Sequence, residues 1–358
     1  MRSFRNLVAV GAVAGLVACG GGGNQQVRLN GAGATFPYLI YQQWIIDYNN
    51  THDDVEINYQ SIGSGAGVRQ FSDGTVDFGA SDGPMTDEEV AAVDGAVHHI
   101  PTVLGAVVPT YNLPGVAQPI RFTPDALAGI FLGEITRWND PRIASANPGV
   151  TLPAADVVVV HRSDGSGTTY IWADYLTKVS SDWASRVGTG RSINWPAGIG
   201  ARGNEGVTAS VSQTPNAIGY VELGYALLND LPVAHVQNRE GNFVAPSIES
   251  VTAAAAGAMV DMGPDTDFRV SITNPSGPDS YPITSFTWLL IRTTYPEVAQ
   301  GRELVEFVWW ALSEGRDEAA PLGYAPIPEE MLPWINARLQ TITANGEAVW
   351  SGPSGSGT

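Results

Sequence analysis

The sequence predicts an α/β architecture with mostly parallel sheets, on three observations. Strand-like stretches are repeatedly followed by a glycine-rich loop and a helix-spaced segment, the repeating unit of βα structure. Four consecutive valines, Val157 to Val160, mark a strand buried on both faces. The composition is 44% hydrophobic and 15% charged over 358 residues. That balance supports two domains of ordinary size or one large one, and excludes wholesale disorder.

The elements follow in order. Arg2 and Arg5 open the chain, and Leu7 to Ala18 is an apolar run of signal-peptide length. Leu16-Val17-Ala18-Cys19 then leads into four glycines, which resembles a bacterial lipoprotein signal with Cys19 as the lipidated residue. Val27-Arg28-Leu29-Asn30 reads as a strand and Gly31 to Thr35 as a turn. Tyr38 to Tyr48 has apolar residues at 41, 44, 45 and 48, a helical spacing. Val55 to Tyr59 alternates as a strand, Ser61 to Gly67 is a second glycine-rich loop, and a helix begins at Val68. Asp77 to Pro84 reads as a short buried strand ending in Asp82, on its own a turn or cap aspartate. Thr86-Asp87-Glu88-Glu89 is a capping box. Asp156 to Arg162 is the valine strand, Ser163 to Gly167 a third loop, and Thr168 to Leu176 a helix. Arg302 to Leu312 is an amphipathic helix. Pro101 and Pro282 mark candidate connections between domains, and a disordered tail is expected over 346–358.

Acidic residues outnumber basic ones 36 to 18, with no basic run, which argues against a nucleic-acid partner. The single cysteine excludes an internal disulfide and a cysteine-based zinc site. No segment after the leader reaches the roughly 18 apolar residues of a spanning helix.

Three loops share one chemistry: Gly31 to Phe36, Ser61 to Gly67, and Ser163 to Thr168. Each follows a strand, sets glycine beside Ser or Thr, and opens a helix. Glycine allows close backbone approach, a helix N-terminus offers free N–H groups, and hydroxyls add donors. One such loop is an ordinary helix cap. Three, with Arg162 beginning the third, point to a tetrahedral oxyanion. Other anion chemistries fail on particular residues. Lys178 is the only lysine, and no phosphate-loop motif surrounds it. Phe36 stands where a dinucleotide fingerprint needs its third glycine, and Asp164 where a nucleophile elbow needs its first. His98 and His99 are adjacent and point apart, so they read as surface or boundary residues, and His161 as packing at a strand end.

These loops, with Val76 to Asp82, Arg137-Trp138-Asn139-Asp140, Val187 to Gly190, Trp195-Pro196, Gly203 to Val207, Ala217 to Glu222 and Tyr281 to Ser285, resemble the phosphate-binding proteins of bacterial phosphate-specific ABC transporters. The resemblance runs from Val27 to Thr343. It implies a two-domain periplasmic binding protein of type II-like α/β fold, with phosphate in a cleft between the domains. It further implies a monomeric, non-enzymatic receptor, without metal or other cofactor, that hands phosphate to a membrane permease. The protein would sit in the periplasm or at the cell surface, held to the membrane by its lipid.

By the same resemblance, Thr35 contributes a hydroxyl and N–H, Phe36 an N–H, and Ser64 a hydroxyl. Asp82 accepts the phosphate's own proton, and Arg162 donates its guanidinium. Ser166, Gly167 and Thr168 supply hydroxyls and amides, and Asp164 orients Arg162. The implied division is a signal peptide at 1–18, a lipidated tether at 19–26, a first domain at 27–104 plus 283–345, and a second at 105–282. A phosphatase or a structural surface lipoprotein on the same fold is the competing expectation.

Overall fold

The computed structural model describes residues 26–259 and 262–353. The signal segment, Cys19 and the tether up to residue 25 lie outside the described residues. The elements that build the site are β1 (Val27–Gly33), α1 (Tyr38–Thr51), β2 (Val55–Ser61), α2 (Ser64–Ser72), β3 (Phe78–Ser81), α3 (Asp87–Ala91) and β4 (Val97–Tyr111). They continue with β5 (Val158–Arg162), α4 (Gly167–Val179), β6 (Ile199–Ala201), α5 (Gly203–Gln213), β7 (Ala217–Glu222), α6 (Leu223–Leu228), β8 (Thr284–Arg292), α7 (Val298–Leu312) and β9 (Ala325–Pro326).

Helix faces follow the apolar spacing of the sequence. Tyr41, Trp44, Ile45 and Tyr48 of α1 are buried, and Trp44 Nε1 donates to the Gly315 carbonyl at 2.7 Å. The buried face of α7 is Leu304, Val305, Phe307, Val308, Ala311 and Leu312. The capping box closes as its chemistry requires: Glu89 N donates to Thr86 Oγ1 at 3.2 Å, and Thr86 N to Glu89 Oε2 at 2.9 Å. Val159 and Val160 are both buried, so β5 is covered on both faces. His161 packs as expected, its ring stacked on Trp195 at 4.7 Å.

A nine-stranded sheet has the order β2-β1-β3-β8-β4-β7-β5-β6, with the ninth strand, β9, off this path beside β4. β1 is parallel to β2 and β3, and β5 is parallel to β6 and β7. Between these flanks the pairing is antiparallel, so the expectation of mostly parallel sheets holds only at the two ends. The reason is the route of the chain. β4 carries it out of one lobe and β8 brings it back alongside, so the two run in opposite directions. Residues 97–106 of β4 pair with β8, and residues 107–111 pair with β7. One long strand thus belongs to both lobes of this α/β fold.

Pro101 lies within β4, the strand shared by both lobes, opposite Trp288, where the register with β8 slips. A proline gives the ladder no N–H, and the bulge absorbs that loss. Of the tail expected to be disordered at 346–358, the stretch through Trp350 packs on the body of the protein. Thr343–Ala344 and Glu347–Ala348 pair as a hairpin across Asn345 and Gly346, whose φ values are 53° and 83°. Asn-Gly is the pair best suited to two left-handed turn positions. Beyond it Val349 is buried, and Trp350 Nε1 donates to Asn336 Oδ1 at 2.9 Å.

Candidate functional site: an anion cleft between the lobes

Each anion loop opens a helix whose first turn faces the cleft. Gly63 caps α2 with φ 92°, a left-handed conformation that glycine adopts without strain. Ser166 caps α4 by accepting the Thr169 N–H at 3.0 Å. The lobes meet here through backbone. Gly65 N donates to the Gly165 carbonyl at 2.8 Å, and Gly167 N to Ser64 Oγ at 3.0 Å. A Cβ on Gly167 would stand 2.5 Å from Asp82 Oδ2 and 2.6 Å from Asp82 N. Only glycine permits that approach.

The expected residues all come together. Thr35, Phe36, Ser64, Asp82, Arg162, Ser166 and Thr168 are at most 2% exposed, Gly167 is buried, and Asp164 is half-buried at the rim. Their hydroxyls are sorted by what already fills their lone pairs. Thr35 Oγ1 accepts from Asn204 Nδ2 at 2.8 Å and Asn204 N at 3.2 Å. Thr168 Oγ1 accepts from Asn204 Nδ2 at 3.1 Å and Arg162 Nη1 at 3.4 Å. Ser64 Oγ accepts from Gly167 N at 3.0 Å and Asp82 N at 3.3 Å. A hydroxyl has two acceptor sites and one proton. With the acceptor sites taken, Thr35 and Thr168 are left with a proton to give, while Ser64 directs its own at Asp82 Oδ2. Among the described residues, the N–H groups of Thr35, Phe36 and Thr168 find no acceptor in the chain. The Gly167 N–H, expected at the anion, is spent on Ser64 instead.

Charge is placed as sparingly. Arg162 grips Asp164 in a two-point pair, Nε to Oδ1 at 2.8 Å and Nη2 to Oδ2 at 2.5 Å. Burial works against the guanidinium's charge, but the Asp164 bonds outweigh it and raise its pKa. Burial likewise pushes Asp164 up, and Arg162 overrides it to hold the carboxylate below its usual range. This pairing leaves Nη1 turned to the cleft. Asp82 is the one carboxylate among the donors. Burial pushes its pKa up to about 7, against the pull of the Thr287 hydroxyl, Arg162 and Ser64. Thr287 Oγ1 donates to Asp82 Oδ1 at 2.8 Å, and Ser64 Oγ donates to Oδ2 at 3.5 Å. The result is a buried cluster rich in donors, with one cation and one acceptor. That suits a tetrahedral oxyanion carrying a proton.

Sequence reasoning missed several supporting residues. Asn204 links Thr35 to Thr168 across the cleft, and Thr287 holds Asp82. Tyr225 donates to the Thr35 carbonyl at 2.6 Å, and Tyr220 accepts the Arg162 N–H at 3.1 Å. His99 is buried rather than at a boundary. Its Nε2 accepts the Met85 N–H at 3.1 Å, and burial lowers its pKa to about 3. At the rim, Arg191 of the second lobe pairs with Glu89 and donates to the carbonyls of Gly83 and Pro84. Arg269 reaches Asp87 Oδ1 at 2.8 Å. The quoted Gly203 to Val207 motif contained Asn204, but nothing local gave it a role.

The profile of the PBP superfamily domain matches residues 21–314. A phosphate-binding protein PstS of Xylella fastidiosa is 43% identical over 87% of this chain and 85% of its own. A phosphate-binding protein PstS of Pasteurella multocida is also 43% identical, over 91% of this chain and 94% of its own. Among solved structures, a high-affinity periplasmic phosphate-binding protein, PfluDING, superposes with a TM-score of 0.69. It is 22% identical and covers 87% of this chain and 93% of its own, a likeness of fold.

Proposed function

The chain belongs to the family of PstS phosphate-binding proteins, within the wider PBP superfamily, and on that footing we propose that it captures inorganic phosphate outside the cytoplasm and delivers it to the permease of a phosphate ABC transporter. The observation that carries this is the hydroxyl arrangement. Two hydroxyls with filled lone pairs, those of Thr35 and Thr168, converge with a buried guanidinium and a single carboxylate in a cluster that donates from most directions and accepts from one. Hydrogen phosphate has that pattern: oxygens that accept, and one proton to give.

Thr35, Phe36, Ser64, Asp82, Arg162, Ser166, Gly167 and Thr168 form the proposed site, and Asp164 orients Arg162. Gly167 enters through the close approach of its backbone. The proposed domain division falls near residue 104 and near residue 282. The change of β4's partner from β8 at Ala106 to β7 at Val107 supports the first cut. Closure is then a hinge motion of the lobes about phosphate.

A receptor is favoured over a phosphatase. Among the described residues no histidine bonds to the site's hydroxyls, and no cluster of three His, Cys, Asp or Glu could hold a metal. Calorimetric titration of the pure protein with phosphate and sulfate tests the reading. Saturable phosphate binding with little sulfate binding is expected, and folded protein that binds no phosphate overturns it. The anchor is proposed at Cys19, on the basic start, apolar run and glycine tether of the sequence. Cys19→Ser should free the protein from membranes or leave it unprocessed. A processed variant still partitioning with detergent would refute the anchor.

A further inference from the structure

Glu222 is a buried carboxyl that phosphate does not touch. It ends β7, and its Oε1 accepts the Gly224 N–H at 2.9 Å, capping α6. Its Oε2 stands 3.0 Å from the Tyr324 hydroxyl, which also lies 2.6 Å from the Phe36 carbonyl. A phenol has one proton to give. A carbonyl has none, so the shorter contact takes the tyrosine's proton. The contact with Glu222 is then a hydrogen bond only if Oε2 carries a proton and donates it to the tyrosine oxygen.

Burial pushes the Glu222 carboxyl well above its usual range. Gly224 N and Tyr225 N pull the other way, and Asp82 pushes it further up. Among the described residues, the titratable groups that act on Glu222 are Tyr324 ahead of β9, Tyr225 on α6 and Asp82 after β3, and none of these is a cation. Asn204 of α5 meets its backbone, accepting the Glu222 N–H at 3.0 Å, and Val107 lies opposite on β4.

Tyr225 extends the same device. It sits on the helix that Glu222 caps, and its hydroxyl holds the Thr35 carbonyl at 2.6 Å. In a trans peptide C=O and N–H point in opposite directions. Holding the Thr35 oxygen therefore aims the Phe36 N–H the other way. The next peptide, whose carbonyl Tyr324 holds, ends in Pro37 and has no N–H.

We propose that Glu222, protonated at neutral pH, is a positioning residue for the Thr35–Phe36 loop: through Tyr324, and through Tyr225 on the helix it caps, it pins the two loop carbonyls so that the Phe36 N–H faces the cleft. This rests on that loop binding phosphate, as proposed above.

Glu222→Gln keeps the pattern, an oxygen for Gly224 N and an N–H for Tyr324. It should keep phosphate affinity within roughly threefold, whereas Glu222→Ala should lose roughly tenfold or more. Tyr324→Phe, which leaves the core volume nearly intact, should also weaken binding and serves where Glu222→Ala does not fold. Infrared spectra of the phosphate-free protein at neutral pH should show a carboxylic-acid band that Glu222→Gln removes. The proposal is overturned if that band is unchanged by Glu222→Gln, if Glu222→Gln binds as weakly as Glu222→Ala, or if Tyr324→Phe binds like wild type. Wild-type protein that binds no phosphate would sink the function instead, and the band would still report on Glu222.

Discussion

Both walls of the cleft use a glycine-and-hydroxyl loop and the first turn of a helix, α2 on one side and α4 on the other. They differ in charge. The second lobe holds Arg162 with its carboxylate partner Asp164 beside it, so the cation arrives already oriented and largely neutralised. The first lobe holds Asp82 buried with a hydroxyl for company, so its charge is weakly supported and its pKa rises to about 7. In the site proposed above, one wall serves to attract any oxyanion, and the other to test whether that oxyanion carries a proton. On the proposed reading, affinity and selectivity are thereby separated onto two lobes, which meet where Gly65 N donates to the Gly165 carbonyl.

The largest effect should come from removing the attracting wall's cation. Arg162→Ala should weaken phosphate binding by about 2–5 kcal/mol, on the scale for truncating one partner of a buried charge contact. Calorimetry checks it, and a folded variant with unaltered affinity would move the site elsewhere.

Asp82→Asn should act on discrimination instead. Sulfate has no proton for the carboxylate, and the contact is repulsive in a low-dielectric cleft. An amide can donate there, so the gap between phosphate and sulfate should narrow by about 1–3 kcal/mol, with phosphate binding still measurable. If competitive titration finds sulfate rejected as strongly as before, the selecting wall has been misplaced.

Gly167→Ala tests whether the walls must touch. Its methyl would fall 2.5 Å from Asp82 Oδ2, so closure should be blocked. Phosphate affinity should drop by about 1–2 kcal/mol, near the lower end for overpacking, and phosphate-induced compaction in X-ray scattering should vanish. Wild-type compaction and affinity together would show that the contact is dispensable.

The smallest effect is on stability against pH. Asp82 is raised from the ordinary carboxylate range to about 7, so its protonated form stabilises the folded, phosphate-free protein. That contribution is complete below the unfolded carboxylate pKa and is lost as pH rises to about 7. Asp164, Asp140 and Asp267, held below their usual range, act in the opposite sense, but only below the ordinary carboxylate range, so they add no slope near neutrality. Between pH 5 and 8 the melting point of wild type should fall relative to Asp82→Asn, by roughly 2–4 °C for each 1 kcal/mol. Parallel curves would refute the burial of an uncompensated Asp82.

Much of this molecule is local and was therefore legible in its sequence. The buried face of α1, the buried face of α7 and the Thr86–Glu89 box depend on residues three or four apart, and such spacings survive any tertiary context. The glycine loops and Arg162 were readable for the same reason, because strand, turn and helix start are neighbours in the chain. Asp82 was not readable from its own segment, where a turn aspartate and a ligand aspartate look alike, and only the family resemblance singled it out. The antiparallel return of β8 beside β4 has no local signature, since it depends on where the chain goes between residues 111 and 284. Asn204 lies 169 residues from Thr35, and Thr287 lies 205 from Asp82, and a lone Asn or Thr announces nothing. Yet those distant residues decide what the site recognises. A hydroxyl donates or accepts according to which neighbours fill its lone pairs, and only folding brings those neighbours to it.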